Sequence, residues 1–488
     1  MIAIPIISRT SEEALKEIAL ASQLADILEL RLDRINSPHV SALIHACKKP
    51  SIATNRRADE GGKYKGSERA RLSVLKDAVS AGADYVDLEM SSSAEAIHML
   101  QALLKENKSK TKLILSYHNF EKTDASEIEN AYECMKRLAC DIIKIVTYAQ
   151  KLEDNLAIFN LLKRAKLENQ KIIAFCMGEK GEISRVLAPA FGSFLTFGSL
   201  ERGKESAPGQ IPAELLRNVY RVNELNEKTK IYGLIGNPVN KSKGYLIHNA
   251  AFKKLKLNAV YMNFLVEDVD SFFTHFKGFF SGLSVTMPHK EAAVRHLDKV
   301  DETARAINAV NTIVVKDNKL MGYNTDITGA LQPLEKRTTL KGKNVVLLGA
   351  GGVSKAIAYA VSKQGARLTI LNRTVEKAEK LARSLNRRFG APEELYSLSP
   401  KPEILINATS IGMFPLVNES PVEASFLKNM LVFDSVYNPR ETKLLREAKA
   451  NGCEIISGEE LFLAQAAEQF KLFTGKPAPL EEMKKVLG

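Results

Sequence analysis

A lysine inside an apolar run is the first residue whose surroundings point to chemistry. Lys144 lies in the segment 141–147, which reads DIIKIVT. If this run is a strand, Ile142, Lys144 and Val146 point toward the same side, into a core. Burial disfavours the charged ammonium, so the amine becomes nucleophilic toward a ketone. A lysine in a strand is also typical of an edge residue whose charged end reaches solvent, and this run alone leaves both interpretations open.

Polar residues stand at the ends of neighbouring apolar runs. Glu29 and Arg31 lie on the second run of the chain. Arg56 and Glu60 follow the third run, and His118 ends the fifth. In a barrel of parallel strands, the carboxyl ends of the strands meet at one mouth, where the chemistry takes place. A single histidine at such a position is by itself more often a hydrogen-bonded core residue.

Eight apolar runs with helical segments between them predict the elements that position these residues. Eight strand–helix units over about 220 residues are what a (β/α)8 TIM barrel requires, although the alternation also fits an open parallel sheet. A closing helix is expected near Pro212, a residue suited to a first helical turn. The runs are Ile2–Ile7, Ala25–Leu32, Ser51–Asn55, Asp84–Glu89, Lys112–His118, Asp141–Thr147, Lys171–Met177 and Phe194–Gly198.

Lys290 and Asp326 are the residues of the second half whose types suit a reduction. Hydride addition to a ketone leaves an alkoxide, which an ammonium held by a carboxylate can stabilise and protonate. A lysine and an aspartate this far apart in sequence are, taken alone, ordinary solvated surface residues. Their assignment therefore depends on the segments around them.

A glycine-rich turn at 349–352, GAGG, supplies the means to bind a dinucleotide. The apolar run 345–348 precedes it, a helical pattern follows over 353–363, and a second apolar run covers 368–371. Glycines let the backbone approach a pyrophosphate, and the helix N-terminus offers free N–H groups. Ser354 replaces the third glycine of the usual fingerprint. The alternative is an αβ unit that binds no nucleotide.

The end of the second strand of this unit predicts NADP rather than NAD. An NAD site places Asp or Glu there for the ribose 2′-hydroxyl, whereas this chain has Asn372, Arg373 and Thr374, with Lys377 one turn later. A cationic cluster at this point suits a 2′-phosphate.

The composition indicates a protein that acts on small anionic molecules. The chain has 488 residues, of which 45% are hydrophobic, and a net charge of +12 from dispersed basic residues. This pattern favours neither nucleic acid nor a membrane as partner. The five cysteines show no metal-ligand or disulfide spacing, and the chain begins without a basic leader region. We therefore expect no metal and a cytoplasmic location.

The first 228 residues resemble type I 3-dehydroquinate dehydratase in six motifs that occur in order. The motifs are ELRLD, NRRADEGG, SYHNF, DIIKIV, GEISRVLAPAFGSFLTFG and SAPGQIP. The resemblance implies that Lys144 forms a Schiff base, that His118 moves protons and that Glu60 orients it. It also implies a set of substrate-binding residues. Those that hold the carboxylate, the hydroxyls and the apolar walls are Glu29, Arg31, Arg56, Met177, Arg185, Phe197, Ser206 and Gln210.

The remaining chain, from GNPV to FKLFTG, resembles shikimate dehydrogenase. The resemblance implies Lys290 and Asp326 as the catalytic pair and further residues for two ligands. The substrate would contact Ser242, Thr286, Asn311, Tyr437 and Gln465. NADPH would contact Gly349, Ala350, Gly351, Gly352, Val353, Asn372, Arg373, Thr374, Lys377, Ser410, Gly412 and Met413.

One departure from the second family concerns the substrate carboxylate. The family usually shows His-Ser-x-Ser-Pro after its first glycine loop, and here Gly244 takes the place of the second serine. Losing one hydrogen bond to a charged group weakens binding by roughly 1.5–3 kcal/mol unless another group replaces it. Lys241 and Lys243 are the candidates for that replacement.

The combined interpretation is a bifunctional α/β enzyme that makes 3-dehydroshikimate and then reduces it. We expect the barrel over 1–228, a substrate lobe over 229–330 plus 456–488, and a Rossmann NADP lobe over 331–455. One alternative is a metabolite sensor that keeps both folds without catalysis, although it would be expected to have lost Lys144, His118, Lys290 or Asp326. Another is a dehydrogenase that prefers quinate or a different cofactor.

Overall fold

The computed structural model describes residues 1–106 and 110–487. Contacts between Cα atoms divide the chain into two compact units. The first contains residues 1–231 together with 257–266, and the second contains 232–256 together with 267–488. No helix in the described residues is long and apolar enough to cross a membrane.

Parallel strands form the core of the first unit. Strands β1 to β8 are Ile2–Ile6, Ile27–Arg31, Ser51–Thr54, Tyr85–Glu89, Lys112–His118, Ile142–Tyr148, Ile172–Met177 and Thr196–Ser199. The helices between them, α1 to α7, are Ser11–Ala21, Val40–Ala46, Glu68–Ser80, Ala94–Glu106, Ala125–Arg137, Asp154–Leu167 and Glu182–Phe191. Each predicted run contains one of these strands to within two residues, because strands buried on both faces are continuously apolar.

The strands close into the predicted barrel. Strand β1 lies between β2 and β8, and the other strands follow in chain order to β7. A backbone hydrogen bond connects β7 with the start of β8 and so closes the ring: Phe194 N, just before β8, donates to Ile172 O of β7 at 2.7 Å. Side chains from alternate positions fill the interior, Ile142 and Val146 among them. Lys144 lies between these two on β6 and so points inward.

The expected helix does begin next to Pro212, although Pro212 itself ends a short strand. Ile211–Pro212 is a short strand, β9, paired with β8, and helical residues follow from 213 to 219. After residues 232–256, which belong to the second unit, the chain returns to the first unit over 257–266, which contains strand β11 (Ala259–Leu265). Arg221 stabilises the position of this segment, because its Nη2 donates to Ala259 O at 3.0 Å.

The second unit begins with a mixed sheet. Five strands of this six-stranded sheet are β10 (Lys230–Gly236), β12 (Gly282–Val285), β13 (Lys299–Val300), β14 (Thr312–Lys316) and β15 (Lys319–Tyr323), which follow one another in the order β10-β12-β14-β15-β13. β10 and β12 are parallel, whereas β12, β14 and β15 are antiparallel. The accompanying helices are α8 (Gly244–Lys254), α9 (Val269–His275), α10 (Glu302–Ala306) and α11 (Asp326–Glu335).

A doubly wound parallel sheet follows. Its strands are β16 (Asn344–Leu348), β17 (Arg367–Leu371), β18 (Arg388–Gly390), β19 (Ile404–Asn407), β20 (Leu431–Asp434) and β21 (Glu454–Ile456). Their order, β18-β17-β16-β19-β20-β21, is that of a dinucleotide-binding Rossmann fold, with the crevice at the switch between β16 and β19. The helices are α12 (Gly352–Lys363), α13 (Val375–Leu385) and α14 (Lys443–Ala450), followed by α15 (Gly458–Thr474) and α16 (Leu480–Lys485).

Helix α15 returns to the mixed sheet. Gln469, which is buried, donates to Asn311 O at 3.2 Å and to Thr312 Oγ1 at 3.0 Å, and it accepts from Ser284 Oγ at 3.0 Å. Tyr232 adds a hydrogen bond to Phe473 O at 3.1 Å. The last long helix is therefore bound to strands that precede it by more than a hundred residues.

Candidate active sites

One cavity at the carboxyl ends of the barrel strands collects the polar residues named from the sequence. Its lining includes every barrel residue that the resemblance implied, although they come from distant parts of the chain. Those residues are Glu29, Arg31, Arg56, Glu60, His118, Lys144, Met177, Arg185, Phe197, Ser206 and Gln210.

Lys144 is buried in this cavity, with 5% of its surface exposed. Its Nζ lies 2.9 Å from Asp87 Oδ2, 3.4 Å from Glu29 Oε1 and 4.7 Å from the centre of the Phe197 ring. The side chain is therefore buried in the core, as one of the two interpretations predicted, but its neighbours include carboxylates as well as apolar side chains. A buried ammonium needs a counter-charge, and two carboxylates supply it here.

His118 and Glu60 form a hydrogen-bonded pair beside Lys144. His118 Nδ1 lies 3.2 Å from Glu60 Oε2. Burial, with the cations Arg56 and Lys144, holds the pKa of His118 well below its ordinary value. Burial also raises the pKa of Glu60 to about 7. The imidazole is therefore neutral near neutral pH and can accept a proton.

Arg185 is the cation of the cavity without an acidic partner. It is 1% exposed and donates to Pro208 O at 3.0 Å, while its guanidinium lies 4.7 Å from the Phe175 ring. Burial lowers its pKa to about 10. No carboxylate in residues 1–106 or 110–487 is within ion-pairing distance, and its Nε has no hydrogen-bond partner there. A buried cation of this kind is suited to an anionic group of a ligand.

Ser206 and Gln210 are linked to each other at the same cavity. Ser206 N and Oγ both donate to Gln210 Oε1, at 2.7 and 3.2 Å. These contacts leave the Gln210 amide nitrogen as a donor for a ligand. The two residues thus complement Arg185 as neutral hydrogen-bonding groups.

In the second unit, Lys290 and Asp326 form an ion pair. Lys290 Nζ lies 2.5 Å from Asp326 Oδ2, and their side chains are only 13% and 8% exposed. Lys290 follows β12, and its carbonyl accepts from Val310 N at 2.9 Å. Asp326 begins α11, where Asn324 Oδ1 accepts from its N at 3.1 Å. The pair is therefore held rigidly and shielded, unlike two surface residues.

The substrate-site residues named for this unit fall into two sets. Asn311 and Gln465 are connected through Thr325, whose Oγ1 lies 3.2 Å from Asn311 Oδ1 and 3.4 Å from Gln465 Oε1. The structure does not connect the other three by hydrogen bonds to the ion pair within the described residues. They are Ser242 at the start of α8, Thr286 packed on Gly236, and Tyr437 stacked on Phe462.

The two lysines near Gly244 have other partners. Lys241 Nζ lies 4.8 Å from the centre of the Phe414 ring, and Lys243 Nζ donates to Leu487 O at 3.4 Å. Ser242 Oγ accepts from Gly244 N at 3.3 Å. Neither lysine is thus placed as a substitute for the missing serine hydroxyl.

The glycine turn after β16 lies next to Lys290. A Cβ on Gly352 would come within 3.6 Å of Lys290 Cδ, and a Cβ on Gly351 would meet nothing within 4 Å. Gly349 has φ +109°, and a Cβ there would lie 2.7 Å from Ala408 O. Ser354 accepts from Gly351 N at 3.0 Å, which explains a serine at the third glycine position. The turn thus leaves open space for a ligand's phosphates at the N-terminus of α12.

The residues after β17 carry positive charge at the surface. Arg373, Thr374 and Lys377 are exposed, and Asn372 Nδ2 donates to Thr374 O at 2.8 Å. After β19, across the switch point, Met413 N donates to Ser410 O at 3.1 Å, and Gly412 has φ +97°. This donor set fits a phosphorylated dinucleotide, with Ala350 and Val353 at the base of the turn.

Comparison with protein families matches nearly the whole chain. Residues 2–227 match type I 3-dehydroquinase, and 234–313 match the shikimate dehydrogenase substrate binding domain. Residues 332–451 match shikimate/quinate 5-dehydrogenase, and 458–487 match the shikimate 5′-dehydrogenase C-terminal domain. A bifunctional 3-dehydroquinate dehydratase/shikimate dehydrogenase of Arabidopsis thaliana is 38% identical over 99% of this chain and 83% of its own. The chain belongs to this bifunctional family.

Further relatives cover both parts of this dehydratase/dehydrogenase architecture. The shikimate biosynthesis protein AroDE of Chlamydia pneumoniae is 34% identical over 94% of this chain and 92% of its own. A crystal structure of shikimate dehydrogenase in complex with NADP+ is 41% identical, with a TM-score of 0.51, over 54% of this chain and 96% of that one.

The dehydratase site contains charged residues that the sequence interpretation missed. Asp87 and Glu89 on β4 are both buried, and Arg56 contacts them at 2.7 and 3.2 Å. Ser116, one strand further, accepts from Arg56 Nη1 at 2.6 Å. The available signal was two acidic residues at alternate positions of an otherwise apolar strand, which places both on one face.

Proposed function

We propose that Lys144 serves the dehydration of 3-dehydroquinate through an imine, and that Lys290 and Asp326 serve the reduction of the product, 3-dehydroshikimate, by NADPH. The observation that carries the first assignment is a buried lysine beside a neutral histidine at a barrel mouth. The observation that carries the second is a shielded lysine–aspartate pair against the dinucleotide turn.

In the dehydration, Lys144 Nζ attacks the ketone carbon and the carbonyl oxygen leaves as water. The resulting iminium withdraws electrons from the neighbouring carbon, so that His118 can take a proton from it. The hydroxyl on the next carbon then leaves as water, receiving the proton from His118. Hydrolysis of the imine releases 3-dehydroshikimate and restores the amine. Glu60 accepts a hydrogen bond from the imidazole and fixes its orientation throughout.

The remaining cavity residues bind the substrate. Arg185 pairs with the substrate carboxylate, since it is a buried cation with no carboxylate at ion-pairing distance among the described residues, and Ser206 and Gln210 add hydrogen bonds. Glu29, Arg31 and Arg56 face the ring hydroxyls. Met177 and Phe197 form apolar walls.

In the reduction, the protein supplies a proton and two binding surfaces. NADPH, when bound, supplies the hydride for the ketone carbon. The Lys290 ammonium, held by Asp326, donates a proton to the substrate oxygen as it gains negative charge. The turn Gly349–Val353 holds the pyrophosphate, and Arg373 with its neighbours holds the 2′-phosphate. Asn311, Gln465, Ser242, Thr286 and Tyr437 bind the substrate, and Ser410, Gly412 and Met413 line the nicotinamide pocket.

We assign the dehydratase to residues 1–228, the substrate lobe to 229–330 plus 456–488, and the NADP lobe to 331–455. The family matches support these divisions. We also propose a cytoplasmic location, which the five unpaired cysteines support because free thiols persist in reducing compartments. The Arabidopsis relative is named as chloroplastic.

A coupled assay tests the proposed function. Protein, 3-dehydroquinate and NADPH should together consume reduced cofactor, and NADH should replace NADPH only poorly. Lys144→Ala should abolish this signal and leave turnover of added 3-dehydroshikimate intact, whereas Lys290→Ala should do the reverse. Borohydride added with 3-dehydroquinate should leave an adduct on Lys144. An adduct on a different lysine, or none, would contradict the assignment, and a silent sensor would give neither activity.

A further inference from the structure

Asp87 occupies the centre of a charge cluster next to Lys144. Its side chain is fully buried on β4. Oδ2 accepts from Lys144 Nζ at 2.9 Å, while Oδ1 accepts from Arg56 Nη2 at 2.7 Å and from Ser116 Oγ at 2.7 Å. Together, the two oxygens therefore have three partners, each on a different strand or loop. The carboxylate is fixed in position by the fold.

Asp87 is the nearest negative charge to the amine. Glu29 is the second, at 3.4 Å, and Thr54 Oγ1 donates to it at 3.0 Å. Arg31, Arg56, Glu60, Arg185 and the neutral His118 line the same cavity as Lys144. Burial acts to raise the pKa of Asp87, but the Arg56 guanidinium and the Lys144 ammonium outweigh it and hold that pKa well below its usual range. It is thus a stable anion and a poor base.

We propose that Asp87 is the fixed counter-ion of the nitrogen at position 144, neutralising its positive charge first in the ammonium and then in the iminium. The inference rests on the proposed Schiff-base role of Lys144. When the neutral amine and the ketone condense, one proton is taken up, one water leaves, and the nitrogen keeps one N–H and a positive charge. That N–H can donate to Asp87 Oδ2 as the ammonium did before it.

The same geometry assigns Arg56 a positioning role. Its guanidinium contacts Asp87, Glu89 at 3.2 Å and Ser116 at 2.6 Å, and the residue is 3% exposed. These contacts hold Asp87 in place, so Arg56 acts on the reaction through Asp87 as well as through the ring hydroxyls to which the resemblance pointed.

Asp87→Asn in the full chain tests the proposal, because it removes the charge and keeps the shape. We expect the dehydratase kcat to fall by about 100-fold, the usual cost of losing one group that stabilises a developing charge. The KM for 3-dehydroquinate should stay within about threefold, since the lost interaction acts on the covalent intermediate. Reduction of added 3-dehydroshikimate should be unchanged, which reports that the chain is folded. A dehydratase kcat within about threefold of the parent would overturn the proposal.

Chemical rescue separates a charge role from a structural one. Asp87→Ala leaves room for a small anion, so added formate should restore dehydratase kcat by at least about tenfold, while Lys144→Ala should gain nothing. Loss of activity that formate leaves unchanged would assign the defect to structure and contradict the proposal.

If Asp87→Asn also loses the reductase activity, the variant Ser116→Ala tests the proposal instead. It removes one hydrogen bond to the Asp87 carboxylate and keeps every charge. A fall of about tenfold in dehydratase alone supports the proposal, and an unchanged rate contradicts it.

Borohydride trapping distinguishes this inference from the function on which it rests. If the parent protein gives no adduct on Lys144, the Schiff-base assignment itself fails. If the parent gives the adduct and Asp87→Asn gives the same adduct at the same rate, only the counter-ion role fails.

Discussion

Glu60 is a carboxyl group whose environment places its titration close to neutral pH. Burial raises its pKa to about 7, and its Oε2 lies 3.2 Å from His118 Nδ1. Ser91 Oγ donates to the other oxygen. A carboxylate accepts the imidazole N–H and holds the ring, whereas a protonated carboxyl does so less well. The protonation state of Glu60 therefore controls how well His118 is oriented.

We expect the dehydratase rate to fall as the pH decreases through about 7. Below this value Glu60 gains a proton, while the pKa of His118 lies well below its ordinary value, so that the imidazole is still neutral. Glu60→Gln should reduce kcat by about tenfold and remove the acid limb, since an amide does not titrate. The pH profile of kcat/KM from pH 5.5 to 8.5, for parent and variant, checks this. An acid limb that persists in the variant would contradict it.

Gly244 gives a second prediction about a single residue. Because Lys241 and Lys243 have other partners, neither of these two lysines is placed to replace the hydroxyl missing at this position. Gly244→Ser should lower the KM for 3-dehydroshikimate by roughly tenfold or more, corresponding to about 1.5–3 kcal/mol for a hydrogen bond to a charged group. Measuring quinate oxidation in parallel addresses the substrate preference. An unchanged KM would mean that another group already binds the carboxylate.

Helix α15 carries a residue proposed for the reductase site and also packs on the mixed sheet. Gln465 faces Thr325 from its middle, and Gln469, one turn later, makes three buried hydrogen bonds to the mixed sheet. A helix held in this way positions the substrate residue and supports the core together. A substitution at position 469 should therefore lower both the stability of the second unit and its affinity for the reductase substrate.

Gln469→Ala should lower the free energy of unfolding of the second unit by roughly 2–3 kcal/mol, because it leaves buried partners unpaired. The KM of the reductase should rise, and dehydratase turnover should be unaffected. Glu468→Ala is a matched control, since Glu468 pairs with Lys471 only at 3.9 Å on the surface and should cost less than about 1 kcal/mol. Urea unfolding followed by both activities measures the difference. Equal effects of the two substitutions would contradict the role given to Gln469.

Elements buried on both faces were the most predictable from the sequence. The eight barrel strands and the β16–α12–β17 unit follow from continuous apolar runs with helical patterns between them. Short strands such as β13, β18 and β21 were not predicted, since two or three residues carry no periodicity. The helix expected near Pro212 begins at residue 213, while Pro212 itself pairs with β8, a tertiary contact that a local pattern does not reveal.

The environment of Lys144 shows why the site was less predictable than the fold. Its inward direction follows from the alternation along β6. Its partner Asp87 is 57 positions away, on a strand two places along the barrel, and no local pattern links the two. The charge that neutralises a buried residue is set by packing of distant segments, and one sequence does not specify which segments meet.

At the scale of the whole molecule, the residues proposed for each reaction lie together in one unit. Those proposed for the dehydratase all lie in the first unit, and those proposed for the reductase all lie in the second. The first unit also takes in residues 257–266, which Arg221 fastens. Separate sites on one chain predict that the two activities can be lost independently.

A mixture of Lys144→Ala and Lys290→Ala proteins should therefore convert 3-dehydroquinate to shikimate, although neither variant does so alone. Hydrolysis of the imine releases a soluble ketone, so shikimate should appear after a lag while 3-dehydroshikimate accumulates. Following both compounds over time checks this. A mixture that makes 3-dehydroshikimate and no shikimate, although the Lys144→Ala protein reduces the added compound, would contradict it.

The route of the chain also has a consequence for its synthesis. The dinucleotide turn and Lys290 are both translated well before Gln465 and Gln469, and the sheet that carries Asn311 stays incomplete until α15 packs on it. The barrel strands, by contrast, have all left the ribosome long before. On a translating ribosome, dehydration is therefore expected to become possible first, and reduction only once the last long helix has emerged.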